Sequence, residues 1–347
     1  MRIAITVDPY IPVPPRQYGG IERIVEFLVR GLNERGHQVT LFAHPDTTVS
    51  AELVSYGCPP HWGIRARTTE LWQLGYGLWS RRSEFDLIHN FGRLAALIPV
   101  LPKRKLPKIQ SYQRLIPWRS VQIAARLAGE SMCVTACSSA MLNVGRDSCR
   151  CRAIFNGVDL ANYNFISGVA QDAPLLFLGR VERIKGTHHA IAIARGARRK
   201  LIIAGNRVHS REGEEYFRDY VVPAIDNEWI IYVGPVNDVQ KNALLGSAAA
   251  LLMPVEWEEP FGIVMAEALA CGTPVIGFSR GSVPEVVRHG INGFLCHSVE
   301  QAVAAVSRLK EIDREAVRSD CEKRFSATAI VDAYEQLYFQ LVGSDHQ

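Results

Sequence analysis

The chain has 347 residues, 48% of them hydrophobic and 21% charged, which argues against disorder and suits two domains of roughly 150 to 180 residues each. No apolar run approaches the roughly 20 residues of a membrane span, and MRIAITVDPY lacks the features of a secretory signal, so a cytoplasmic location is expected. The net charge of +4 divides unevenly, with 20 Lys+Arg against 12 Asp+Glu in residues 1–165 and 19 against 23 beyond, which suits an anionic partner for the first half.

The predicted elements alternate between short apolar runs and amphipathic stretches, the pattern of parallel sheets with crossover helices. RIAITVD (2–8) reads as a buried strand, GGIERIVEFLVRGLNERG (19–36) as a helix closed by glycine, and HQVTLFA (37–43) as the next strand. An irregular region follows, and then FDLIHNF (85–91), KIQSY (108–112), MCVTACS (132–138) and AIFNGVD (153–159) as strands. The series then restarts. PLLFLGR (174–180), KLIIAG (200–205), WIIYVG (229–234), AALLMP (249–254) and TPVIGF (273–278) are strands, and 186–197, 236–248 and 260–272 are helices.

The expected fold class is therefore α/β, with two doubly wound Rossmann-like domains facing each other across a cleft. The first covers 1–165 and the second 166–328. A last helix in 329–347 is expected to cross back to the first domain, and the join is placed near 160–173, where NYNFISGVAQDAP has no periodic apolar face.

PVEWEEPFGIVMAEALACGTPVI (254–276) carries Glu256, Glu258, Glu259 and Glu267 in an apolar setting. Pro260 suits the first position of a helix, which would put Glu259 at its entrance and the amides of Phe261, Gly262, Ile263 and Val264 in a phosphate-attracting first turn. Glu259 and Glu267 would then flank an anion site, about 12 Å apart along the helix axis. Such acids suit the hydroxyls on either side of a diphosphate, a hexose for Glu259 and a ribose for Glu267; acids favouring the helix dipole are the plainer reading. Glu256 and Glu258 gain no task.

In LGRVERIKG, Arg180 and Lys185 follow a strand and project where open α/β sheets bind ligands, so they suit a diphosphate. Gly19 and Gly20 of RQYGGIER open a helix after the first strand and permit close backbone approach. The cysteine pairs Cys133/Cys137 and Cys149/Cys151 lack zinc-ribbon spacing and are expected as reduced packing or surface thiols.

EPFGIVMAE, GRVERIKG and YGGIER together resemble the retaining glycosyltransferases of family four, which have the GT-B fold. The resemblance covers nearly the whole chain in order. It implies that Glu259 contacts the transferred sugar and Glu267 the ribose, that Arg180 and Lys185 hold the diphosphate, and that Gly19 and Gly20 form the glycine-rich loop. Gly205, Asn206 and the loop around Val236 would meet the base. Relatives carry H-x-H after a D-h-h strand, whereas FDLIHNFGR supplies His89 and then Phe91. His89 either hydrogen-bonds a sugar hydroxyl or the acceptor, or is structural. The expected reaction moves a hexosyl group from a nucleotide sugar, best guessed as UDP-linked, to an unidentified sugar or lipid-linked acceptor. No metal is expected because no D-x-D occurs, and no nucleic acid is a partner. KRKLPK (103–108) with Arg114, Arg119 and Arg126 either rests on anionic lipid at the inner membrane face or is a solvated basic surface. A sugar-nucleotide epimerase and a degenerate nucleotide-sugar-binding subunit are the alternatives.

Overall fold

The computed structural model describes residues 1–16, 19–57, 64–143, 145 and 149–343. Gln17 and Tyr18 of the glycine motif, and 344–347 of the last predicted segment, lie outside them.

The chain forms two compact units, residues 1–156 with 327–347, and residues 157–326. In the first unit β1 (Arg2–Thr6), α1 (Gly20–Glu34), β2 (Gln38–Ala43), β3 (Glu52–Ser55), α2 (Ile64–Ser80), β4 (Leu87–Asn90), β5 (Lys108–Tyr112), α3 (Trp118–Ala128), β6 (Met132–Ala136) and β7 (Arg150–Ala153) follow in turn. Its seven strands are all parallel, in the order β3-β2-β1-β4-β5-β6-β7. β1 and β2 read as largely apolar runs because both faces of the sheet are covered, while the central β4 and β5 bury polar side chains, among them His89, Asn90, Lys108 and Gln110.

In the second unit β8 (Leu175–Leu178), α4 (Thr187–Gly196), β9 (Leu201–Ala204), α5 (Arg211–Tyr216), β10 (Ile230–Gly234), α6 (Asp238–Ser247), β11 (Ala250–Met253), α7 (Ile263–Ala270), β12 (Val275–Phe278), α8 (Val283–Val286), β13 (Gly293–Cys296), α9 (Val299–Ser307) and α10 (Arg314–Phe325) build a parallel six-stranded sheet ordered β10-β9-β8-β11-β12-β13. The strand order reverses between β8 and β11, so the loops leaving these two strands border the switch point where open α/β sheets take ligands.

Helix α11 (Ala327–Gly343) packs within the first unit. Ile330, Val331, Tyr334, Leu337, Tyr338 and Leu341 fall three or four apart and are buried along one face, each such side chain contributing about 1.5–3 kcal/mol. Gly31 of α1 lets the two helices meet, since a Cβ there would lie 2.8 Å from Val331 Cγ2. Arg35 and His37 hold Glu335 at 2.7 and 2.8 Å.

Several expectations are corrected. The irregular region contains β3 and α2, and AIFNGVD is not a strand: β7 ends at Ala153 and the apolar run continues as buried loop. Residues 160–173 are not a linker but a strap on the second unit. Tyr163 reaches Glu267, Phe165 covers Gly272, and the Ile166 carbonyl accepts from Arg314 Nε. Lys108 leaves the basic surface altogether, being fully buried with its ammonium donating to the carbonyls of Lys103 and Leu106 and to Ser131 Oγ. No helix among the described residues is long and apolar enough to cross a membrane.

Candidate active site

After β8 the chain passes Gly179 and Arg180 into a 3-10 turn, Arg183–Lys185, which Gly186 closes in the left-handed region at φ 75° before α4 begins. A Cβ on Gly186 would lie 1.9 Å from the Pro254 carbonyl oxygen, so glycine is what lets the turn lie against the loop leaving β11. The Glu256 amide donates to the Ile184 carbonyl at 2.9 Å and ties the two segments together.

That contact brings Lys185 to Glu259. Its Nζ donates to Glu259 Oε2 at 2.6 Å, and Trp257 Nε1 donates to the same oxygen at 2.8 Å. The ammonium also lies 4.7 Å from the Trp257 ring centroid. The glutamate is 5% exposed, so an anion that would otherwise be costly to bury has one cation and one neutral donor on a single oxygen. Sequence reasoning gave Lys185 to the diphosphate alone; the structure makes it the partner of Glu259.

Glu267, also 5% exposed, repeats the arrangement. Its Oε1 accepts from Lys241 Nζ of α6 at 2.6 Å and from Tyr163 O–H at 2.7 Å. Each carboxylate is thus fixed through one oxygen by an ammonium and an aromatic donor, and the second oxygen takes part in neither set of bonds. Trp257, Lys241 and Tyr163 escaped sequence reasoning. Trp257 stands two residues from Glu259 and was open to notice, but the other two reach Glu267 from distant segments.

The expected helix start is corrected. Helix α7 begins at Ile263, with Gly262 before it at φ 67°, so Pro260 is not its first residue and Glu259 lies in the preceding loop. Phe261 is buried, edge-on to Phe325 at 5.8 Å, which makes its side chain a core element. Only Ile263 and Val264 of the expected four residues stand in the first turn, and the Met265 amide already donates to the Gly262 carbonyl at 2.8 Å. Glu258 acquires a task, accepting the Gly281 amide at 2.7 Å.

The other predicted donor residues border the same sheet edge. Arg180 is half exposed, with its guanidinium 2.8 Å from Glu182. Gly205 follows β9 at φ 137°, and a Cβ there would lie 1.9 Å from the Gly179 carbonyl oxygen. Asn206 next to it is exposed, and Val236 follows β10 half-buried.

Gly19, Gly20 and His89 belong to the first unit. A Cβ on Gly19 would meet Pro15 at 2.6 Å and Glu22 Oε2 at 2.8 Å, while one on Gly20 would meet nothing within 4 Å among the described residues. Two acids nearby in sequence also escaped sequence reasoning: burial pushes the carboxyls of Asp8 and Glu22 up, for Asp8 against the opposing charges of Arg93 and Arg114.

His89 is a correction. It is fully buried at the end of β4, with Nδ1 2.6 Å from Tyr338 O–H and Nε2 2.6 Å from Ser111 Oγ, and Phe91 packs on its ring at 4.2 Å. Both nitrogens are committed inside the unit, which matches the structural alternative rather than a contact with a sugar hydroxyl or acceptor. Burial pushes its pKa from 6.5 down to about 3. Between those values the unfolded chain binds the extra proton, so this contribution to stability is complete above 6.5 and is lost as pH falls towards 3, at up to about 1.4 kcal/mol per pH unit. Urea unfolding followed from pH 7 downwards is expected to show that slope in the wild type and a shallower one in His89→Gln; equal slopes would remove His89 as its source.

Glycosyl transferases group 1 match residues 164–325, and Glycosyltransferase Family 4 matches residues 18–162. A glycogen synthase of Mycobacterium tuberculosis is 27% identical, covering 96% of this chain and 94% of its own length. Among solved structures, sucrose-phosphate synthase from Thermosynechococcus elongatus superposes with TM-score 0.77 at 19% identity, covering 99% of both chains. HepE of Anabaena in complex with UDP superposes with TM-score 0.75 at 17% identity, covering 98% of this chain and 100% of its own. The likeness to the solved structures shows a GT-B fold.

Proposed function

Because the chain belongs to the family-four glycosyltransferases, with both halves matched in order, we propose that it moves a hexosyl group from a UDP-linked sugar to a sugar or lipid-linked acceptor, with retention at the anomeric carbon. The observation that carries this reading is the pair of buried carboxylates at the switch point, each anchored through one oxygen. The other oxygen of Glu259 accepts from the hexose hydroxyls, and that of Glu267 from the ribose. Arg180 and Lys185, with the α7 start, face the diphosphate. As the anomeric C–O bond breaks, positive charge grows on the sugar ring and negative charge on the departing diphosphate, and these groups stabilise the latter. The acceptor oxygen forms its bond on the face the diphosphate leaves, and its proton passes to the departing phosphate oxygen. The protein cations supply the charge that a divalent ion would otherwise supply, so the transfer itself proceeds without metal.

A base-assisted epimerase is disfavoured at the residue the sequence offered for it, since His89 is sealed inside the first unit. The acceptor side offers a lipid-facing stripe: Arg119, Ile123, Arg126 and Leu127 of α3 are exposed, Ile123 by 61%. Thermal-shift screening of nucleotide sugars, followed by donor hydrolysis with and without anionic vesicles, tests the reading. A uridine nucleotide sugar is expected to raise Tm and to be hydrolysed slowly in EDTA, with vesicles raising the rate. Failure of every nucleotide sugar to bind would overturn it.

A further inference from the structure

Glu256, which the transfer chemistry leaves unused, faces two adjacent histidines of α4. His189 Nε2 lies 3.0 Å and His188 Nε2 3.3 Å from the same oxygen, Glu256 Oε1. The potential ligand atoms of all three residues lie within 4.8 Å of one another, and the side chains are 19%, 27% and 30% exposed for His188, His189 and Glu256. They are enclosed enough to be held and open enough to be reached. We propose that His188, His189 and Glu256 form a site for one divalent transition-metal ion of the zinc type, completed by water.

The donor set is two imidazole nitrogens and one carboxylate oxygen, which such ions prefer over magnesium or calcium. Metal–ligand bonds of about 2.0–2.2 Å in a tetrahedron put neighbouring ligand atoms roughly 3.3–3.6 Å apart. The His188–Glu256 distance of 3.3 Å fits without rearrangement, and the 3.0 Å of His189 needs only a small opening. The outer partner expected of a metal-bound histidine is present: His188 Nδ1 lies 2.8 Å from Tyr216 O–H, an oxygen that also accepts the His188 amide at 3.0 Å and so holds the ring in place. Two features oppose a cation: the amino end of α4, and Arg183, whose guanidinium stacks over Tyr220 at 4.9 Å. The Glu256 carboxylate offsets them, and water on the open side reduces the remainder.

The position gives the ion a role. His188 stands three residues after Lys185, and Glu256 three before Glu259, so the ligands come from the two segments that the Lys185–Glu259 pair joins. The ion would clip the turn after β8 to the loop after β11 and steady Glu259 without touching the reacting atoms.

The test uses the full chain, stripped with EDTA and titrated with ZnCl2 by calorimetry, then with Co2+ by absorption. One Zn2+ per chain is expected, with affinity at least tenfold weaker in Glu256→Gln and in His189→Gln, both checked by circular dichroism for an unchanged fold. Bound Co2+ is expected to show d–d bands of low coordination number without a thiolate charge-transfer band. The proposal is overturned if the wild type takes up no Zn2+, if both variants bind as the wild type does, or if a thiolate band appears and vanishes in Cys149→Ser. Because the readout is metal binding, it stands or falls independently of the transfer reaction.

Discussion

Glu259→Ala is expected to lower kcat for transfer by about 10²–10³-fold, the usual loss when one fixed electrostatic contact to a reacting group is removed, while nucleotide binding changes little. The carboxylate is held on one oxygen by Lys185 and Trp257, so its second oxygen meets the sugar at little further ordering cost. The same substitution strands the Lys185 ammonium, and breaking a buried pair from one side costs about 3–5 kcal/mol. Lys185 keeps some solvent access, with 17% of its side chain exposed, so the lower end is expected. A stability loss alone would lower activity, so rates are compared at a temperature where circular dichroism shows Glu259→Ala fully folded. The double variant Lys185→Met/Glu259→Ala reports only on stability: with both charges gone, most of the loss should return in urea unfolding, while activity stays low because the diphosphate-facing Lys185 is gone as well. If fully folded Glu259→Ala kept the wild-type kcat, Glu259 would be a structural acid and the sugar contact would have to lie elsewhere.

That pairing marks the limit of what the sequence shows. Strands such as LLFL and VIGF are legible because sheets covered on both faces demand continuous apolar runs. Edge strands are not: ELVS and RCRA are partly exposed and carry no such run. Glu259 and Glu267 stand out because acids in an apolar stretch require partners, but the partners are not local. Lys241 and Tyr163 reach Glu267 from 26 and 104 residues away. The helix start failed for a related reason: Pro260 fits the rule for a first helical residue, yet Gly262 in the left-handed region holds the chain out of the helix until Ile263. His89 was placed at the correct strand end, but one dimension does not show Tyr334 and Tyr338 of α11 closing over it.

Gly186→Ala is expected to damage the site severely, because it joins backbone strain to a collision with the loop that carries Glu259. At φ 75° the residue occupies the left-handed region, where an alanine costs about 1 kcal/mol relative to glycine. Gly36, at φ 81° with none of the described residues within 4 Å of an added Cβ, bears that strain alone, so Gly36→Ala should lower stability by about 1 kcal/mol and leave transfer untouched. At Gly186 the added Cβ would also sit 1.9 Å from the Pro254 carbonyl oxygen and 2.8 Å from its carbon. Backbone cannot yield as a flexible side chain does, so the turn and the loop must part. The Glu256 amide bond to Ile184 and the Lys185–Glu259 bond both cross that seam, and both weaken as it opens. The expected result is a stability loss of about 3 kcal/mol or more with kcat/KM reduced at least as far as by Glu259→Ala. Thermal unfolding and initial rates measured on the two alanine variants side by side decide it. If Gly186→Ala were no worse than Gly36→Ala, the turn would have room to move, and the close seating of Lys185 against Glu259 would not be set by this glycine.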